Sequence, residues 1–166
     1  MTTEKKYSRK TRLLNAGDKW EKLFYIHRGL IRLFYTDAEG PEFNKVFFWE
    51  GHCIWPVALR DRNKSIQFSI ETLEDSSILE CSFQRIYETL KQSGQWEKFA
   101  LPFAEALVEQ KFQREHDFLL FTATKRFEEF SKAHPDIASR IPDYHLASFL
   151  GITNVSLSRI KKLASI

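Results

Sequence analysis

The sequence predicts an α+β protein: an N-terminal antiparallel β-roll of jelly-roll type, a long helix, and a C-terminal pair of short helices joined through a glycine. Three observations carry this expectation. Between Lys10 and Ser82, apolar residues recur at every second position in short aromatic and β-branched runs separated by turn residues. From Phe83 onward the apolar spacing is helical. Near the end, the stretch from Asp143 to Lys162 places Gly151 between two short amphipathic segments.

The candidate strands are Lys22–His27, Leu30–Tyr35, Lys45–Trp49, Ser65–Glu71 and Ser77–Ser82, with earlier short runs from Lys10. Turn residues lie at Asn15–Asp18, His27–Gly29, Asp37–Pro41 and Glu50–Gly51. Seven or eight short strands at this spacing suit an antiparallel barrel or jelly roll. Phe83–Ser93 then reads as a short helix that Ser93 and Gly94 terminate, and Trp96–Leu101 as a further turn or two. Proline is favoured in the first turn of a helix, so Pro102 is expected to open a long helix running to about Phe121. That helix carries two apolar stripes: Leu101, Ala104, Val108, Phe112 and Leu119 on one side, Phe103, Leu107, Phe118 and Phe121 on another. One stripe suffices to lie on a single barrel. The second predicts the same helix from another copy across a two-fold axis, against the alternative that the terminal helices fold back over it. Thr124–Ala133 is a further helix closed by His134 and Pro135. In the final pair, Leu146, Phe149 and Leu150 share a face, Gly151 stops the first helix, and Thr153 can cap the second. Leu157 and Ile160 line the second helix's apolar face, and Asn154, Ser158, Arg159 and Lys162 lie elsewhere on it. The expected division is a roll over 1–94, a dimerisation helix over 95–121 and a helix-turn-helix region over 122–166.

The chain has 166 residues and a net charge of +3. Its cations gather at the ends: Met1–Arg12 holds five Lys or Arg against Glu4, and Arg140–Ile166 four against Asp143. Basic ends suit a nucleic-acid partner, although a solvated terminus accounts for the first equally well. Cys53 and Cys81 are too few for a disulfide framework and read as buried thiols. No apolar run reaches membrane-spanning length and no signal-peptide core opens the chain, so a cytoplasmic protein is expected. His27, His52, His116, His134 and His145 are scattered without metal-ligand spacing, and no Ser or Cys sits in a nucleophile elbow. No catalytic residue, metal or cofactor is therefore expected.

Ala147, with Gly151 four residues later and apolar residues at 146, 150, 152, 157 and 160, resembles the bacterial DNA-binding helix-turn-helix. Earlier segments add to this in order. Leu13–Asp18 looks like a Gly-Asp turn after a first strand, Leu23–Leu33 like two strands joined at Gly29, Thr72–Leu79 like an Ala-Leu-Glu-Asp-Ser stretch, and Ser156–Ile160 like a recognition-helix signature. Together they resemble the Crp/Fnr family of bacterial transcription regulators. The resemblance implies a cyclic-nucleotide-binding-type β-roll, a dimerisation helix and DNA binding. The expected partners are double-stranded DNA and a second copy through the 102–121 helix, with RNA polymerase a further candidate.

Nucleotide-binding members of that family hold the ligand with a Glu on the ribose and an Arg-Ser/Thr pair on the phosphate. Here the Arg-Ser position falls on Ile66 and Gln67, and the Gly-Glu position near Ile54, Trp55 and Pro56, where there is no carboxylate. A buried phosphate without its cation is costly, so cyclic AMP and cyclic GMP are not expected to bind. Arg60 or Arg62 could replace the cation from a nearby loop, but nothing replaces the ribose acceptor. A different effector would have to use the aromatic interior, with Phe47, Trp49, Gly51, Trp55, Arg60, Ile66 and Gln67 the pocket candidates beside Phe34, Phe43 and Phe48.

In a helix-turn-helix the start of the second helix enters the major groove. The DNA-binding candidates are Thr153, Asn154, Val155, Ser156, Ser158, Arg159 and Lys162. Asn154, Val155, Ser158 and Arg159 would face base edges, with Arg159 able to bond guanine O6 and N7 in a bidentate way. Thr153, Ser156, Lys161 and Lys162 are phosphate candidates. Val155 stands where well-known members carry a Glu, so a different half-site is expected. A reduced N-terminal helix and a missing β-hairpin wing are expected from where the chain begins and ends. The alternative function is an effector-sensing or protein-interaction roll with a vestigial helix-turn-helix.

Overall fold

Eight strands make two four-stranded antiparallel sheets in the computed structural model, which describes residues 3–163. They are β1 (Thr3–Tyr7), β2 (Arg12–Leu14), β3 (Lys22–Arg28), β4 (Ile31–Thr36), β5 (Glu42–Phe48), β6 (Cys53–Ile54), β7 (Ser69–Thr72) and β8 (Ser76–Ser82). One sheet has the order β1-β8-β3-β6 and the other β2-β7-β4-β5. Alternate residues of both turn inward, so Phe24, Ile26, Ile31, Ile70 and Ile78 meet in one dry core. The chain passes between sheets at Gly29, whose φ is +120°. A Cβ there would sit 2.1 Å from Ser76 Oγ, so glycine is required by space as well as by conformation.

The roll also buries charge. Arg32 is 3% exposed and Glu71 7%; the guanidinium donates to Glu71 Oε1 at 2.7 and 2.9 Å and to Glu42 at 2.6 Å, and its Cζ lies 3.7 Å from the Phe34 ring centroid. An ion taken out of water is tolerated only when its hydrogen bonds are made, and here Arg32 spends its donors on carboxylates and on neighbours described below.

Helix α1 (Leu59–Asn63) interrupts the expected strand pattern, and the run from Ser65 pairs as a strand only from Ser69. The alternation is real, since Ile66 and Phe68 are both buried. Ile66, however, exchanges its backbone bonds with Gly17 and Asp18 of a turn rather than with a ladder. The helical part follows as α2 (Phe83–Gln92), α3 (Trp96–Leu120), α4 (Ala123–Ala133), α5 (Pro135–Arg140), α6 (Asp143–Leu150) and α7 (Asn154–Leu163).

Pro102 does not open a new helix; it lies inside α3, which runs unbroken from Trp96. One backbone donor is lost, but the aromatic residues on either side are anchored to the same ring. Trp96, Phe99 and Phe103 stand 5.5, 5.5 and 5.7 Å from the Trp55 centroid, and their packing offsets the missing bond. Along α3, Phe103 and Leu107 face the roll, while Leu101, Val108, Phe112 and Leu119 are 51–74% exposed. Pro135 likewise does more than end α4, because it opens α5 at the first-turn position. No described helix is long and apolar enough to cross a membrane.

Candidate nucleic-acid interface

The two-helix unit begins with α6, whose Leu146, Ala147 and Leu150 are buried at 0–3% exposure. Gly151 follows in the left-handed region at φ +69°, and its N–H bonds the Ser148 carbonyl while Ile152 N–H reaches Ala147. This closes the open carbonyls of α6. Thr153 then caps α7: its Oγ1 accepts from the Ser156 N–H at 3.1 Å and lies 2.9 Å from Ser156 Oγ. Leu157 (0% exposed) and Ile160 (7%) fasten α7 to α6, Phe127, Ile137 and Ile141 in a shared core.

With its apolar face committed, α7 turns the remainder outward. Asn154, Val155, Ser158, Arg159 and Lys162 are all exposed, Val155 at 63%. Thr153 and Ser156 are brought to the same end, but both hydroxyls are engaged in the cap. Lys161 is drawn aside into an ion pair with Asp143 at the start of α6. Leu163 is the last described residue, so the end of the chain, on which the missing-wing expectation rests, lies outside the described residues.

The unit is docked on the roll through α6. His145 is 5% exposed and accepts at Nδ1 from Arg32 at 3.0 Å. Burial first, and Arg32 second, push its pKa down to about 4, so the ring is neutral with its proton on Nε2. Asn44 donates to the His145 carbonyl, and Ser148 Oγ accepts from Asn44 N–H at 3.0 Å while donating to the Glu42 carbonyl at 3.1 Å. Arg140 of α5 makes a paired contact with Glu50 at 2.8 and 2.9 Å and a further one with Glu74. That pairing holds the Glu50 carboxyl at about 2. Phe149 completes the seam, 5.2 Å from Phe47 and 5.3 Å from Phe130. His145, Arg32, Asn44 and Arg140 were not singled out from sequence, because partners separated by tens of residues leave no local signal.

The effector-pocket candidates are only partly gathered. Phe47, Trp49 and Trp55 line one large cavity beside α3. Ile66 is buried in the roll core, and Gly51, Arg60 and Gln67 are exposed away from that wall. Arg62 donates to the Pro56 and Val57 carbonyls and stacks near Trp55. Both thiols are half-buried rather than buried, with Cys53 pushed up to about 12 by what burial it has.

No family model and no curated protein matches the sequence. Solved structures do match it in fold. FixK2 from Bradyrhizobium japonicum superposes with a TM-score of 0.83 at 17% identity, over 99% of this chain and 85% of that one. A protein from Eubacterium rectale described as a transcriptional regulator of the Crp/Fnr family gives 0.77 at 13%, over 99% and 78%. The c-di-GMP-responsive global regulator CLP from Xanthomonas campestris gives 0.73 at 14%, over 99% and 86%. Roll, long helix and helix-turn-helix thus occur here in the arrangement of those proteins, and the chain has the fold of the Crp/Fnr regulators.

Proposed function

We propose that the protein is a sequence-specific DNA-binding transcription regulator that acts as a homodimer on a two-fold symmetric operator. The observation that carries this reading is α7, which is capped, packed on one face and free on the other, with Asn154, Val155, Ser158 and Arg159 together on the open side. Such a face suits the major groove. Arg159 supplies a bidentate donor for guanine and Val155 an apolar surface for a thymine methyl. The exposed stripe of Leu101, Val108, Phe112 and Leu119 supports the dimer, since an apolar strip of that length is seldom left to water. The residues of 1–94, 95–121 and 122–166 then serve as roll, dimerisation helix and DNA-binding region.

The same reading excludes the usual nucleotide cassette, because Ile54 and Trp55 are core residues and Ile66 and Gln67 provide no cation. Selection of bound duplexes from a random pool tests the main claim: a palindrome should be enriched, and uniform retention of all sequences would remove it. Sedimentation should give twice the 19.6 kDa chain mass, reduced to a monomer by Phe112→Glu. Micromolar affinity for cyclic AMP in calorimetry would overturn the exclusion of the cassette.

A further inference from the structure

Between β5, β6 and the inner side of α3 lies a cavity of about 1010 Å³, partly open to solvent. Phe47, Phe48, Trp49, Trp55, Phe68 and Phe103 make much of its wall. Four cations also border it: Lys45 from β5, Lys111 and Arg114 from α3, and Arg126 from α4, the last of which donates to the Phe121 and Leu150 carbonyls; the other three matter here. Lys45 Nζ is 4.2 Å from the Phe68 ring centroid, and the Arg114 guanidinium is 4.3 Å from that of Phe149. Among the described residues none of the three enters an ion pair. Acidic groups are near, but Asp117 takes Gln113 and His116, Glu129 takes Lys125, and Asp61 and Glu109 pair with none of the three. Burial lowers the pKa of Lys45 and of Lys111, and Lys45 and Arg114 repel Lys111 further.

Lys45 and Arg114 are half-buried against the aromatic wall without a carboxylate partner, a desolvation cost that an anion would relieve, while Lys111 is exposed beside them. An inorganic anion would leave the rings wet, and a neutral apolar molecule would leave the cations unmatched. A cavity of this size takes a small organic ligand, and an apolar molecule that carries one anionic group answers both halves. We propose that the cavity binds an apolar monocarboxylate, aliphatic or aromatic, with its carboxylate among Lys45, Lys111 and Arg114. The cassette positions Gly51, Arg60, Ile66 and Gln67 take no part in it.

Arg114 also gives this site a route to the helix-turn-helix. It donates to the Phe149 carbonyl at 2.9 Å, at the end of α6, while Arg126 donates to the Leu150 carbonyl at 3.2 Å. A carboxylate that engages Arg114 therefore acts on a group that holds the turn before α7. This regulatory half rests on the DNA-binding reading, whereas the binding half does not.

Calorimetry on the whole chain with decanoate and decan-1-ol, which share a tail and differ in charge, tests the binding half. Decanoate should bind in the micromolar range and decan-1-ol about tenfold more weakly. Lys45→Met with Lys111→Met should abolish that preference and leave decan-1-ol binding as it was. Equal binding of the two probes by the unaltered protein, or no decanoate binding at about 100 µM, would overturn the proposal whether or not the double variant folds. Gel shift on the selected duplex with and without decanoate tests the coupling: an affinity change of about threefold or more is expected, and none would remove the regulatory half. Failure to select any duplex would count against the DNA-binding reading alone, leaving the calorimetric result to stand.

Discussion

The two helices of the helix-turn-helix share one core but use it in opposite ways. α6 buries four of its eight residues, including a histidine, and touches the roll on one side and α7 on the other. α7 buries Leu157 and Ile160 and leaves the rest of its ten residues to solvent or its margin. Stability is concentrated in the first helix, and chemical freedom is left to the second. A helix that reads a ligand can vary its outer residues without unfolding only when a neighbour supplies the anchoring.

The contrast breaks most easily at its buried end. Leu146→Ala should cost about 2–5 kcal/mol in urea unfolding, whereas Val155→Ala should stay within about 0.5 kcal/mol. Comparable losses at both sites would erase the distinction. Next comes His145, which is neutral in the fold with its pKa lowered to about 4 from 6.5. The unfolded chain takes up this proton first, so the contribution is complete above about pH 6.5 and is lost as the pH falls towards 4. The decline should amount to roughly 2–3 kcal/mol. His145→Gln, which keeps an acceptor for Arg32, should flatten the stability profile across that window; an unchanged slope would place the titration elsewhere.

Arg159→Ala sharpens the other side of the comparison. It should weaken specific DNA binding by about 1–3 kcal/mol and relax one base preference, with no change in melting. Equal loss on every duplex would make Arg159 a phosphate contact instead. The smallest effect is expected at Thr153, where removal of the cap in Thr153→Ala should lower stability by about 1 kcal/mol. A loss below a few tenths would mean that the Ser156 N–H finds water readily.

Local patterns were legible. Positions 146, 150, 151, 152, 157 and 160 define the helix pair through short-range periodicity and one positive φ, and the two stripes of α3 separate only in part, since Phe118 of the inner one is exposed and Ala104 of the outer one is half-buried. Long-range chemistry was not. Nothing in the sequence near Arg32 names Glu71 or His145 as its partners, which lie 39 and 113 residues away. Nor does any local pattern join Lys45, Lys111 and Arg114, which the fold brings to one cavity. Pro102 misled because proline reports a missing donor, and only tertiary packing decides whether a helix can spare it.

Gly151 has a consequence for operator geometry. A Cβ at this turn would lie 2.6 Å from Phe118 Cε1, so the turn is pressed against the last stretch of α3. Under the proposed dimer, α3 is also the element that positions one copy against the other. The ring at 118 then acts as a spacer between the symmetry axis and each reading helix. Half-sites in such dimers lie about 34 Å apart, one helical turn of DNA, and shortening that ring should alter the number of base pairs between them before it alters which bases are read.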